Sequence, residues 1–276
     1  MAYFAKKPNV KTLFDIGQNK EGSSDHSLLL EIGKDHCTGA VFNRSTNTID
    51  HIRFDSLDEL ESASQLREML LPYKETGFQS VTVCSAYPEA LLYPNKFFSN
   101  NYLLLDQLYD LPARNYFHDT IGEWQMVNAY ALPEAVCHAV EEVFGTVSYL
   151  HAYTPAIKVY NGFVADHQVS VHFSTQSFRV LLKKDMTIHL VQTYTYQTPL
   201  DVVYYLLKIC YEFGLRQQDA FLILSGLVEK ESNLFTELQQ YFTNIHFAQE
   251  PEIGLPQSPH PHHFFTSIYN LAACVS

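Results

Sequence analysis

The chain has no paired cysteines, few glycines, few charges and no long apolar run, and each shortage excludes something. Its five cysteines, Cys37, Cys84, Cys137, Cys210 and Cys274, are scattered, odd in number and form no C-x-x-C pair. Neither a disulfide framework nor a zinc ribbon is indicated. Cys84, Cys137 and Cys210 stand in apolar surroundings and read as small core residues. Only 11 glycines and 12 prolines occur among 276 residues, which excludes collagen-like and low-complexity classes. No stretch approaches the roughly 18 consecutive apolar residues of a spanning helix. The longest run, near 220–228, is broken by Ser225 and Gly226. No apolar segment follows Met1-Ala2-Tyr3-Phe4, so no secretory signal is expected, and the cytoplasm is the expected compartment. Lys+Arg is 18 against Asp+Glu 30, a net charge of −12, which argues against a broad nucleic-acid surface. There is no phosphate loop of the G-x-x-x-x-G-K type, no G-x-G-x-x-G, no nucleophile elbow and no catalytic triad.

What is present is apolar and aromatic. Hydrophobic residues make up 46% and aromatics 14% of the chain, enough to fold and to predict large buried interfaces between domains or with a protein partner. The length suits two domains. Residues 1–26 are polar and broken by Pro8, Gly17 and Gly22, and read as an arm in which Leu13–Ile16 is a short pairing patch. From Ser27 the pattern is strand (28–32), tight turn (33–36), strand (37–42), polar turn, strand (48–54), helix and strand (81–84). The helix opens on the capping box Ser56/Glu59, carries Leu57, Leu60, Leu66 and Leu70 as its stripe, and ends at Pro72. The second half repeats this order: strand (169–173), turn (174–177), strand (178–182), polar turn, strand (187–196), helix and strand (220–224). Here Thr198 is the N-cap, Pro199 the first helical residue and Gly214 the stop. Glu31 aligns with His172 and Val81 with Phe221, a nearly constant offset that predicts a duplicated unit. Between the halves, residues 85–150 read as an extension: a turn-rich segment (87–94), a strand over 122–132, a helix over 133–144 and a strand over 146–151. A Pro-rich loop (249–261) precedes a terminal helix over 263–275.

This duplicated unit resembles the superfamily of actin, sugar kinases and heat-shock ATPases. The phrases Leu29-Leu30-Glu31-Ile32-Gly33-Lys34-Asp35-His36, Ser80-Val81-Thr82-Val83-Cys84 and Val127-Asn128-Ala129-Tyr130-Ala131-Leu132-Pro133 are similar to an uncharacterised bacterial family of unknown function with an actin-like ATPase fold. The resemblance implies an α/β protein of two duplicated actin-like (ribonuclease H-like) domains, over 1–156 and 157–276. Mixed sheets would be flanked by helices, with ATP and Mg²⁺ in the cleft between. Each half would supply a phosphate hairpin: a strand ending in an acid, then a tight Gly-containing turn whose amides face phosphate oxygens. Glu31-Ile32-Gly33 keeps this shape, and Lys34 offers a cation. In the second half the positions are His172-Phe173-Ser174, where imidazole replaces the acid and serine the glycine. The turn expected to meet adenosine, Leu224-Ser225-Gly226-Leu227, keeps one glycine. The positions for any nucleotide are therefore Glu31, Gly33, Lys34, Ser174, Thr175, Ser225 and Gly226, with no catalytic residue and no metal ligand assigned.

Other candidates have plainer readings. Asp15-Ile16-Gly17 also fits acid-x-Gly but lies in the arm. His260, His262 and His263 cluster between prolines without a nearby acid and read as a solvated loop. His138, Glu141 and Glu142 form a helix stripe. Tyr204, Tyr205, Tyr211 and Phe213 crowd one helix, with Tyr153 and Tyr160 near the domain junction, as core or as a partner surface. The leading expectation is a degenerate, non-hydrolysing scaffold that binds a protein partner, by analogy with pilus-assembly and cell-division scaffolds of this fold. The alternative is an ATPase or small-molecule kinase with an atypical site. There Glu31 would act through Mg²⁺-bound water, and Lys34 with Ser174–Ser177 would hold phosphate. A third is a module for an acidic or aromatic small ligand.

Overall fold

The computed structural model describes residues 10–18, 25–57, 63–74, 77–110, 113–159, 165–249 and 252–276. The chain divides into two compact units, Met1–Thr154 with Ile253–Ser258 and Leu271–Ser276, and Pro155–Glu252 with Pro259–Asn270. In chain order the first holds β1 (Lys11–Gly17), β2 (His26–Ile32), β3 (His36–Asn43), β4 (Thr48–Ser56), α1 (Ala63–Leu70), β5 (Ser80–Ser85), β6 (Ala90–Pro94), α2 (Leu103–Tyr109), β7 (Arg114–Ile121), β8 (Met126–Pro133), α3 (Glu134–Phe144) and β9 (Ser148–His151). Helix α4 (Tyr153–Lys158) leads on to β10 (His167–Phe173), β11 (Ser177–Lys184), β12 (Thr187–Thr195), α5 (Pro199–Glu212), β13 (Phe221–Gly226), α6 (Asn233–Tyr241), β14 (Asn244–Phe247) and α7 (Thr266–Val275).

The first unit has a six-stranded sheet, β1-β4-β3-β2-β5-β9, and a three-stranded sheet, β6-β8-β7; the second has one sheet, β12-β11-β10-β13-β14. Without β1, the two larger sheets share one order. They also share directions: the first three strands are antiparallel and the last three parallel. In β2, Leu28, Leu29, Leu30 and Ile32 are all fully buried, and such an apolar run needs cover on both faces; β10 alternates instead, burying Val169, Val171 and Phe173 between half-buried Ser170 and His172.

The register makes the repeat quantitative. Glu31 lies opposite Thr38 and Cys84, and His172 opposite Arg179 and Ser225, so all three strands share a shift of 141 (172 − 31, 179 − 38, 225 − 84). The partner of Val81 is accordingly Leu222 rather than Phe221: Val81 pairs with Leu28 and Leu222 with Val169.

Several local expectations hold. Thr198 caps α5, its Oγ1 accepting the Asp201 N–H, while the Asp201 carboxylate accepts the Thr198 N–H at 2.8 Å. Val202, Val203, Leu206, Ile209 and Cys210 then pack among Phe173, Phe178, Leu222 and Leu224. The Leu13–Ile16 patch does pair, because β1 runs antiparallel to β4 and buries Phe14 and Ile16; ordered structure therefore begins before Ser27. Residues 1–9 and 19–24 of the arm lie outside the described residues, as do Glu59 and Leu60 of α1's expected cap and stripe.

The extension differs more. The strand expected over 122–132 starts at Met126, after a one-turn 3₁₀ segment at Gly122–Trp124, and pairs back onto β7 as a hairpin. Strand β6 occupies the end of the segment read as turns, and α2, β7, α6 and β14 are additional. Helix α2 escapes pattern reading because its leucines face outward: Leu103, Leu104 and Leu108 are exposed and Leu105 alone is buried.

Candidate functional site

The two hairpins expected to face phosphate are β2–β3 in the first unit and β10–β11 in the second. They close alike. Gly33 N–H donates to His36 C=O at 2.9 Å, and Ser174 N–H to Ser177 C=O at 2.8 Å. Neither Gly33 nor Ser174 has a positive φ, so serine at 174 costs this turn nothing. Gly33 serves space instead: a Cβ there would lie 2.6 Å from the His36 ring.

The side chains of the first hairpin form a buried charge set. His36 Nδ1 lies 2.7 Å from Asp35 Oδ1 and its Nε2 3.4 Å from Glu31 Oε1. The ring stacks on Phe54 with centroids 5.4 Å apart and planes 7° off parallel. Burial by itself would lower the basicity of His36, but hydrogen bonds and charge from Asp35 and Glu31 outweigh it and raise the pKa to about 9. Lys34 reaches away from this set to Glu89, Nζ to Oε1 2.8 Å, with Lys34 half exposed and Glu89 buried. Sequence reading singled out Glu31, Gly33 and Lys34 and missed His36, Asp35 and Glu89. The spacing Glu31…Asp35-His36 across a tight turn was the available signal.

The second hairpin carries no acid at the matching positions, which are His172, Gln176 and Ser177. His172 Nδ1 lies 3.0 Å from Ser225 Oγ, which brings β10 and β13 side chains together beside Ser174 and Thr175 at the turn. Gly226 ends β13 with φ +75°, and a Cβ there would stand 2.0 Å from Phe173 O. Leu227 N–H donates to that same carbonyl at 2.9 Å; in the first unit Ala86 N–H does so to Ile32 O, also at 2.9 Å. Gly226 is thus held against the β10 backbone by its own positive φ, whereas its counterpart Ser85 (226 − 141) makes the same strand exit without one.

A hydrated Mg²⁺ does not fit the residues as they stand. At Glu31 its water shell would have to displace a packed ring already held by two carboxylates, and at His172 imidazole is a poor ligand for a hard cation.

The remaining candidates fall into packing roles. Asp15 Oδ1 lies 2.7 Å from His51 Nε2, tying β1 to β4. His263 is buried rather than solvated: Nε2 donates to Val228 C=O at 2.8 Å and the ring stacks on Phe247. Among the described residues no three His, Cys, Asp or Glu side chains group as metal ligands. Glu142 pairs with Arg67, and Glu141 accepts from the Tyr149 hydroxyl. Tyr205 stacks on Tyr194 at 4.5 Å, whereas Tyr204 and Tyr211 are exposed. Tyr160 lies outside the described residues.

Solved structures place this architecture. A protein from Bacteroides thetaiotaomicron, described as having an actin-like ATPase fold and unknown function, matches with a TM-score of 0.76 at 13% identity, covering 91% of this chain and 97% of its own. A chain of the PilM–PilN type IV pilus biogenesis complex matches at 0.60 and 12% identity, covering 90% and 98%. No curated protein matches the sequence. The protein therefore has the actin-like ATPase fold, with mixed sheets flanked by helices. Over residues 17–245 it matches the family described as "Protein of unknown function (DUF3822)", and the chain belongs to that family. No helix among the described residues is long and apolar enough to cross a membrane.

Proposed function

We propose that the protein is a non-hydrolysing member of the actin-like fold that works as a protein-interaction scaffold, its two domains (1–156 and 157–276) descended from one doubled unit. The observation that carries the reading is the exchange at the second hairpin. The register that sets Glu31 at the end of β2 sets His172 at the end of β10. A site that needs a hard cation between phosphates then has no acid on that side. Two exposed faces support a protein partner. Helix α5 presents Leu200, Tyr204 and Tyr211, and α2 presents Leu103, Leu104 and Leu108; contiguous exposed apolar side chains mark interaction surfaces. The pilus-biogenesis neighbour is described as a complex, and it lends the same direction by analogy. Any nucleotide phosphate would meet Glu31, Gly33 and Lys34, or Ser174, Thr175, Ser225 and Gly226.

Calorimetric titration with ATP and ADP, with and without Mg²⁺, is the test, together with a turnover assay. No binding at millimolar nucleotide and no turnover above background are expected. Mg²⁺-dependent ATP turnover that disappears in Glu31→Ala ends the reading.

A further inference from the structure

The first hairpin holds a position built around one ring. His36 stands between two carboxylates, with Asp35 Oδ1 at 2.7 Å from one nitrogen and Glu31 Oε1 at 3.4 Å from the other. A carboxylate oxygen only accepts, so a ring whose two nitrogens both face carboxylates donates from both and carries a positive charge. All three side chains are buried. The ring has a floor in Phe54, and the missing side chain of Gly33 leaves it room. Two acids enclosed this way need a cation among them, because unpaired buried charge is strongly disfavoured.

The second unit supplies an independent comparison. By the shift of 141, Glu31, Asp35 and His36 correspond to His172, Gln176 and Ser177 (172 − 31, 176 − 35, 177 − 36). Where the acids are absent, the histidine at the turn is absent too. The three residues behave as one set.

We propose that His36 is a built-in cation: its ring fills the place between Glu31 and Asp35 that a divalent ion would otherwise take, so the first hairpin is complete without metal. The inference goes beyond the scaffold reading, which concerns turnover and partners. The glycine of this hairpin accommodates a protein side chain, and the retained acid answers a protein charge.

The test is a Mn²⁺ titration of the intact protein and of His36→Ala, read by electron paramagnetic resonance. His36→Ala should bind one Mn²⁺ about tenfold tighter than wild type or more, the factor given by roughly 1.4 kcal/mol of added attraction. Adding Glu31→Gln should abolish the gain. A wild-type protein that binds Mn²⁺ as tightly as His36→Ala, or a folded His36→Ala with no gain, overturns the proposal. If circular dichroism shows His36→Ala unfolded, the wild-type ring decides. Nitrogen-15 NMR at neutral pH should find both His36 nitrogens protonated, and a singly protonated ring overturns the proposal. ATP turnover by wild type would end the scaffold reading without altering either readout.

Discussion

The hairpins at Gly33–His36 and Ser174–Ser177 hold the same register in two sheets of the same strand order, and they hold opposite chemistry. The first encloses Glu31, Asp35 and His36; the second has His172, Gln176 and Ser177 at those positions. Ladders and cores fix the register: Leu28 and Val169, Leu30 and Val171, and Ile32 and Phe173 are counterparts, and all six are buried. Turning any of them outward would flip a strand. That register does not select the polar side chains at the hairpin tips, so the two units share strand order where packing enforces it and differ in charge where it does not.

The sharpest way to strain this comparison is at the two glycines. Gly226→Ala must open φ +75° and move a Cβ off a backbone carbonyl at 2.0 Å. Its expected cost is about 3–5 kcal/mol in chemical denaturation. Gly33→Ala meets side chains rather than backbone, the His36 ring at 2.6 Å and Asp35 Oδ1 at 3.4 Å, so about 1–2 kcal/mol is expected. Equal losses would show that the hairpin glycine is as much a backbone requirement as the strand-exit glycine.

The acid exchange gives the next effect. Glu31→Gln removes one wall of a buried charge set and should cost about 2–4 kcal/mol. His172→Gln changes a half-buried ring beside Ser225 and should cost under about 1 kcal/mol. Urea midpoints of the two variants check the difference. Near-equal midpoints would remove the claim that the first hairpin alone is electrostatically built.

What could be read from the sequence follows the same divide. Strands β2, β3, β4, β5, β10, β11, β12 and β13 announce themselves by apolar runs between turn residues, and α5 by Thr198, Pro199 and Gly214. Helix α2 does not, because its leucines point to solvent, and β6 does not, because Pro88 and Pro94 bracket five residues. At the hairpin, Glu31 and Gly33 were legible as a motif. Their partner was not: His36 reads as the last residue of a tight turn, and only the folded hairpin brings its ring back to Glu31. The backbone role of Gly226 was not legible for a related reason, since its neighbour Phe173 is distant in sequence and adjacent only across the β10–β13 pairing.

Alkali should push the two units in opposite directions. His36 has its pKa raised from 6.5 to about 9. Its contribution is whole below pH 6.5 and is lost as pH rises through 9. Lys183 is the counterpart of Phe42 (183 − 42 = 141) and is buried, which lowers its pKa from 10.5 to about 7. The unfolded chain holds that proton up to about pH 10.5 and the folded chain does not, so the penalty is full below pH 7 and is relieved above it. Between pH 7 and 9 the β2–β3 ladder should lose, and the β10–β11 ladder gain, about 1–2 kcal/mol each in hydrogen-exchange protection. Glu31→Gln should flatten the first trend. Lys183→Met should flatten the second and raise stability at pH 7. Parallel trends in both ladders would mean that neither buried group governs its own unit.

The most local effect concerns the helix that follows the third strand of each repeat. In the second unit Thr198 and Asp201 satisfy each other's backbone N–H groups at the start of α5. Thr198→Ala should therefore cost about 1 kcal/mol. The loss should appear in hydrogen exchange as faster opening of the first turn, Leu200 to Val203, while Ile209 and Cys210 at the core end of α5 stay protected. Those two side chains pack against the sheet, and the cap does not reach them. If the substitution instead loosened α5 throughout, the helix would be held by its terminus rather than by its buried face. The sheet could then no longer be credited with keeping the repeat in register.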